Sequence, residues 1–265
     1  MTDRFVLRRR ALPILALSAL AASASTWAAE QSRVGSSAKE GVDEVIVVAT
    51  RGPVEPEKVG NSVSVLTREF IQESQAVLTS DLLATLPGVG VTRNGGPGTA
   101  SLLRIRGAES DHTLVLIDGV QVNDPASPGG GFDFGNLLVG DTDRIELLRG
   151  SQSTLYGSQA IGGVVNIVSK EAGEESEADL LAEYGSMNSS LLKAGMGGRF
   201  DRLSARVAGA WYRTDGISTF ADGVEDDGFR NTTLSARLGY DFTDTVGLDL
   251  RGYYADGKSN YDGFP

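Results

Sequence analysis

Apolar and polar residues alternate strictly in the last third of the chain. Across residues 203–212, Leu203, Ala205, Val207, Gly209 and Trp211 fall on one face of an extended segment, and Ser204, Arg206 and Tyr212 on the other. Residues 233–242 repeat the pattern, with Leu234, Ala236, Leu238, Tyr240 and Phe242 set against Thr233, Ser235, Arg237 and Asp241. Val246, Leu248, Leu250 and Tyr254 then oppose Asp249 and Arg251, and two weaker strands are predicted near 179–184 and 190–196. Such alternation fits a membrane barrel with a polar lumen, and it fits a soluble antiparallel sheet equally well. Connection lengths separate the two. Residues 200–201 and 243–244 read as tight turns and 215–230 as a long acidic loop, and short connections alternating with long ones belong to outer-membrane barrels. Five strands cannot close around a filled lumen, so the complete protein is expected to be hundreds of residues longer.

Upstream, short strands and helices alternate with glycine-rich turns. A strand over 62–66 leads into a helix with Thr67 as its N-cap and Phe70 and Ile71 in its first apolar turn. Ser80 and Asp81 open a second helix, 81–85, which Pro87 and Gly88 end. In the run RIELLRGSQSTLYGSQAIGGVVNIVSK (144–170), residues 144–148 alternate as a half-buried strand does, and Arg149-Gly150 stops them. Residues 151–156 then suit a short helix capped by a serine hydroxyl. Gly162-Gly163 permits close backbone approach or positive φ ahead of the apolar strand 164–168. Segments 94–98 and 123–131 are too rich in Gly and Pro for a core and suit a ligand-facing apex. A short acidic linker, 171–176, divides an α+β domain (51–170) from the long strands (177–265).

Composition narrows the function. A net charge of −11 over 265 residues argues against nucleic-acid binding. There are no cysteines, and the single histidine, His112, removes most hydrolase and metalloenzyme schemes. No G-x-S-x-G, Walker lysine or paired His or Cys ligands occur, so an enzyme is not expected. Residues 1–28 read as a cleaved secretory signal: Arg4, Arg8, Arg9 and Arg10 precede an apolar stretch, 11–22, with a cleavage site after Ala28. That stretch is short of the ~20 residues of a spanning helix. Residues 29–42 are polar, without an apolar period, and suit a flexible tether. The strand DEVIVVAT (43–50) follows. It is either the first strand of the domain or an edge that a partner sheet captures, and Pro53 and Pro56 favour capture because they keep it from extending into a sheet.

LPGV (86–89), LLRIRG (102–107), LVLIDGV (114–120) and the 144–170 run, in this order, resemble the plug domain of TonB-dependent outer-membrane receptors. Ser151 departs from the family, which usually has proline after the Arg-Gly. The resemblance implies an α+β plug domain followed by the first strands of an antiparallel transmembrane β-barrel, incomplete in this chain. It implies location in the outer membrane of a Gram-negative cell. It makes 43–50 the TonB box, with Asp43, Glu44, Val45, Ile46, Val47, Val48 and Ala49 as the residues that the periplasmic part of TonB pairs with. It also implies that Arg106 and Arg149 pair with glutamates of the barrel wall; salt bridges within the plug are the other reading of these arginines. A passive porin does not fit, because a folded plug would fill its lumen.

Within the family, VTRNGGPG (91–98), IDGV followed by Asn123, EDDGF (225–229) and SNYDGF (259–264) are similar to the cobalamin receptors. That likeness implies cobalamin contacts at Ala100, Leu102, Glu109, Ala126 and Ser127, and calcium on Glu225, Asp227 and Asp262 with Tyr261 beside them. Calcium takes 6–8 oxygens, which clustered carboxylates supply once loops meet. Ser218 stands where the family has an aspartate, and an acidic solvated loop is the alternative reading of these residues. A receptor for ferric siderophores is the alternative within the family.

Overall fold

The computed structural model describes residues 62–126, 128–218, 226–243 and 245–260. The signal, the tether and the 43–50 strand lie outside them, as do Ser127, Glu225, Tyr261 and Asp262.

The first half is a small α+β domain. Strand β1 (Ser62–Leu66) runs into helix α1 (Arg68–Ser74), whose N-cap Thr67 accepts the Phe70 amide on its hydroxyl. Helix α2 (Thr79–Ala84) and the hairpin of β2 (Val89–Arg93) and β3 (Ser101–Ile105) follow. Then come β4 (Thr113–Ile117), β5 (Val120–Gln121), β6 (Thr142–Arg149), the short α3 (Ser153–Tyr156) and β7 (Gly163–Ser169). Five of these strands form one sheet in the order β1-β6-β7-β4-β5, antiparallel except for β4 beside β7. Asp118 and Gly119, both at positive φ, close the tight β4–β5 hairpin, the use to which an Asp-Gly pair is suited.

Strand β6 departs from the half-buried expectation. It is a central strand covered on both sides, with Ile145 and Leu147 in one apolar cluster and Leu148 in another. Its polar member, Glu146, is 0% exposed, and burial is tolerable because Arg144 Nε and Asn166 Nδ2 donate to its carboxylate at 2.9 and 3.1 Å. The short helix also differs. It starts at Ser153 behind Gln152, which makes no side-chain cap, and the Ser151 and Ser153 hydroxyls instead contact each other at 3.1 Å. The glycine pair works by close approach. A Cβ on Gly162 would stand 2.9 Å from that of Ala108, and one on Gly163 would strike the Leu148 carbonyl across the sheet.

The second half is a five-stranded antiparallel meander: β8 (Glu177–Gly185), β9 (Ser189–Phe200), β10 (Leu203–Thr214), β11 (Phe229–Thr243) and β12 (Val246–Ser259). Its two faces decide between the sheets that the sequence allows. Val207 is 56% exposed, and Leu203, Trp211, Leu234, Leu238, Tyr240, Leu248 and Leu250 are exposed with it. Arg206, Asn231 and Thr233, on the opposite face, are buried against the α+β domain. A water-soluble sheet buries its apolar face; this one presents it, as a barrel wall does to lipid. Leu78 and Leu138 of the plug pack with Ala210 and Phe229 of the strands, so the two halves share a small apolar cluster.

Candidate functional site: the seat of the plug on the strands

Cross-strand register builds a row of arginines on the plug-facing side. Arg206 of β10 lies opposite Arg237 of β11, which lies opposite Arg251 of β12. Like charges in register repel, so each must be neutralised where it stands. Arg206, 2% exposed, grips the plug residue Asp141 with two parallel bonds, Nη2 to Oδ1 at 2.6 Å and Nε to Oδ2 at 2.7 Å. It also donates to Asp179 at 2.9 Å and Glu177 at 3.4 Å on β8. Arg237 joins Glu171 of the linker at 2.7 Å to Asp249 of β12 at 2.7 Å. Arg251 shares Asp249 and donates to the plug's Asp118 carbonyl at 2.9 Å. Lys170, the last residue before the linker, binds Glu177 at 2.6 Å. Bidentate arginine–carboxylate pairs are directional as well as strong, so they fix how the plug sits as well as whether it stays.

A second set of contacts lies at the other end of the strands, beside the long connection. Asn231 Nδ2 donates to the Asn136 carbonyl at 2.9 Å, and Ser259 Oγ to the Gly98 carbonyl at 3.2 Å. Gly98, at φ +84, lies so close to the Phe229 ring that a Cβ there would overlap it. The glycine-rich loop 94–98 is thus fitted under the start of β11. Loop 123–131 is tied from within: buried Asn123 accepts from the Val115 amide at 2.8 Å and donates to the carbonyls of Thr113 and Gly130.

The residues expected to meet ligand are mostly at the surface. Ala100 is exposed just before β3, and Leu102 is half-buried within it opposite Thr92. Glu109 is exposed beyond the end of β3 and pairs with Arg104 at 3.4 Å. Ala126 is exposed and gives its amide to Asp124. Of the proposed calcium ligands only Asp227 is described, and it is 4% exposed. Among the described residues no group of three or more His, Cys, Asp or Glu could hold a metal ion.

The two arginines expected to face the barrel wall differ. Arg106 is exposed, at φ 52, with its amide bonded to the Gly88 carbonyl at 2.7 Å. Arg149 is buried, donating to the Pro87 carbonyl at 3.0 Å and the Ser64 hydroxyl at 2.8 Å. Its Nη2 has no hydrogen-bond partner among the described residues. Burial, then the neighbouring Arg106 charge, pushes the Arg149 guanidinium below its ordinary pKa. Sequence reasoning placed Arg206, Arg237 and Arg251 on the polar face but assigned them no role. The available signal was three arginines on a face that burial would force into ion pairs.

Fold and seat together define the class: a TonB-dependent receptor plug domain followed by the opening strands of its barrel. Residues 55–164 match the family model described as the TonB-dependent Receptor Plug Domain. The chain is 35% identical over 261 residues to the vitamin B12 transporter BtuB of Photobacterium profundum, covering 96% of this chain and 41% of that relative. It is similar to the ferric enterobactin receptor PfeA of Pseudomonas aeruginosa, with a TM-score of 0.62 and 26% identity over 76% of this chain and 34% of the other. The siderophore receptor PirA of Acinetobacter baumannii gives the same TM-score, 0.62, and identity, 26%, over 78% and 32%. The chain therefore spans well under half the length of these relatives.

Proposed function

We propose that the full-length protein is a TonB-energised importer of cobalamin in the outer membrane of a Gram-negative cell. One observation carries this reading: a folded plug is ion-paired to the inner face of strands whose outer face is apolar and exposed. A lumen filled in this way passes nothing large until the plug moves, and breaking buried ion pairs needs work from outside. Asp43, Glu44, Val45, Ile46, Val47, Val48 and Ala49 supply the handle, an extended apolar segment that TonB takes as an added strand. Ligand binding on the outer loops of the plug exposes that handle.

Cobalamin is supported by the 35% identity to a vitamin B12 transporter across nearly the whole chain. Its contacts are assigned to Ala100, Leu102, Glu109, Ala126 and Ser127 on the plug, with calcium on Glu225, Asp227 and Asp262 ordering the long loop. Arg149 keeps one buried N–H for a carboxylate of the barrel wall, and Arg106 is assigned the same kind of partner. A ferric chelate is the second reading, favoured by the likeness to PfeA and PirA. Calorimetric titration of the full-length receptor with cyanocobalamin, with and without calcium, and with a ferric catecholate separates the two. Saturable cyanocobalamin binding strengthened by calcium is expected. Binding of the ferric chelate alone, independent of calcium, would overturn the cobalamin assignment.

A further inference from the structure

The outward face of the strands carries a second basic row, beside the long connection. Register sets Arg213 of β10 opposite Arg230 of β11, and Arg230 opposite Lys258 of β12. Each lies seven residues from the plug-facing arginine of its own strand, and an odd spacing in a pleated strand puts it on the opposite face. All three are exposed. Arg213 is partly neutralised by Asp215 at 3.0 Å, whose other oxygen accepts from Asn188. Neither Arg230 nor Lys258 has an ion-pair partner among the described residues, although Asp256 lies two residues before Lys258 on the same face. With Trp211, Thr214, Asn260 and the Asp215 carboxylate already paired to Arg213, the three basic residues line a groove of about 380 Å³.

Height along the wall identifies what meets this groove. The outward apolar residues run from Phe242 and Val246 beside the short turn, through the register level of Leu203, Tyr240 and Leu248, up to Trp211, with the basic row just beyond. Ten residues at about 3.3 Å each, on strands tilted about 40°, rise about 25 Å, the height of an outer-membrane apolar band. Two cations with no ion-pair partner among the described residues, and a tryptophan, therefore stand where lipid tails end and head groups begin, on the side of the long loop. We propose that this groove binds the phosphate groups of an anionic lipid in the outer leaflet. Arg230 offers its planar fork to phosphate oxygens, Lys258 adds a second charge, and Trp211 lies at the interface where aromatic rings settle. The proposal rests on the membrane reading of the apolar face.

The test is native mass spectrometry of the full-length receptor in detergent, titrated with bisphosphorylated lipid A and, separately, with phosphatidylcholine. The wild type should retain lipid A at least about tenfold more tightly. R230Q/K258Q should lose about tenfold or more of that affinity, as expected for removing two surface cations, whereas R230K/K258R should keep most of it. Heat-modifiable gel mobility checks that each variant is folded. Equal retention by wild type and R230Q/K258Q, no preference over phosphatidylcholine, or displacement by millimolar inorganic phosphate would each overturn the proposal. Insertion into phosphatidylcholine vesicles is measured alongside. A wild type that inserts but shows no lipid preference sinks this proposal alone, and one that never inserts sinks the membrane reading with it.

Discussion

At the scale of single residues, the seat of the plug depends on side chains that are costly unless paired. Arg206 is nearly inaccessible and holds Asp141 in a two-point grip, with Asp179 and Glu177 as further partners. Asp141→Ala removes the plug's share of that network and leaves the β8 carboxylates to compensate. A loss of about 1–3 kcal/mol is expected, measured as the unfolding free energy of the full-length receptor in detergent. Unchanged stability would show that the plug is seated by other contacts. Gly98 provides a second case. An alanine there meets the Phe229 ring and adopts a φ that costs a Cβ-bearing residue about 1–2 kcal/mol. Gly98→Ala should therefore destabilise the receptor, and Gly98→Ala with Phe229→Ala should lose less than the two single changes added together. Strict additivity would mean that the two residues do not touch.

At the scale of elements, much of the fold is legible in the residues. The β1 strand, the Thr67 cap and the alternation of β10 to β12 follow from local rules that act within a few residues. The misreadings come from neighbours that are distant in sequence. Glu146 made β6 look half-buried, because only the register with Asn166 on β7 shows how a carboxylate can be enclosed there. Ser151 suggested a helix cap, but its hydroxyl turns to Ser153 and the helix begins later. The arginine row was hidden for the same reason, since alternation gives the face of each arginine and only strand pairing gives its neighbours. The apolar face of β10 makes its own prediction. Val207→Arg, near mid-height of the band, should cost about 2–4 kcal/mol of folding free energy in bilayers, and Val246→Arg, at its short-turn edge, about 0–1 kcal/mol. Equal costs at both depths would argue that this face does not meet lipid.

At the scale of the whole molecule, β1 is an edge strand of the plug sheet, paired on one side only with β6. It lies a dozen residues after the apolar segment 43–50 in the sequence, so a pull on that segment, as the proposed function requires, would first meet the sheet at its border. Arg206 and Arg251 hold the rest of the plug against the wall, and Arg237 fastens the linker behind it. The proposed energised import would pull on that margin while the anchored body stays against the wall. The most direct test is uptake of radiolabelled cyanocobalamin by cells producing the full-length receptor, wild type or Val47→Pro, with surface binding measured on the same cells. Val47→Pro should bind the vitamin like the wild type and import almost none, because proline prevents the segment from pairing as a strand. Undiminished import by Val47→Pro would contradict the account.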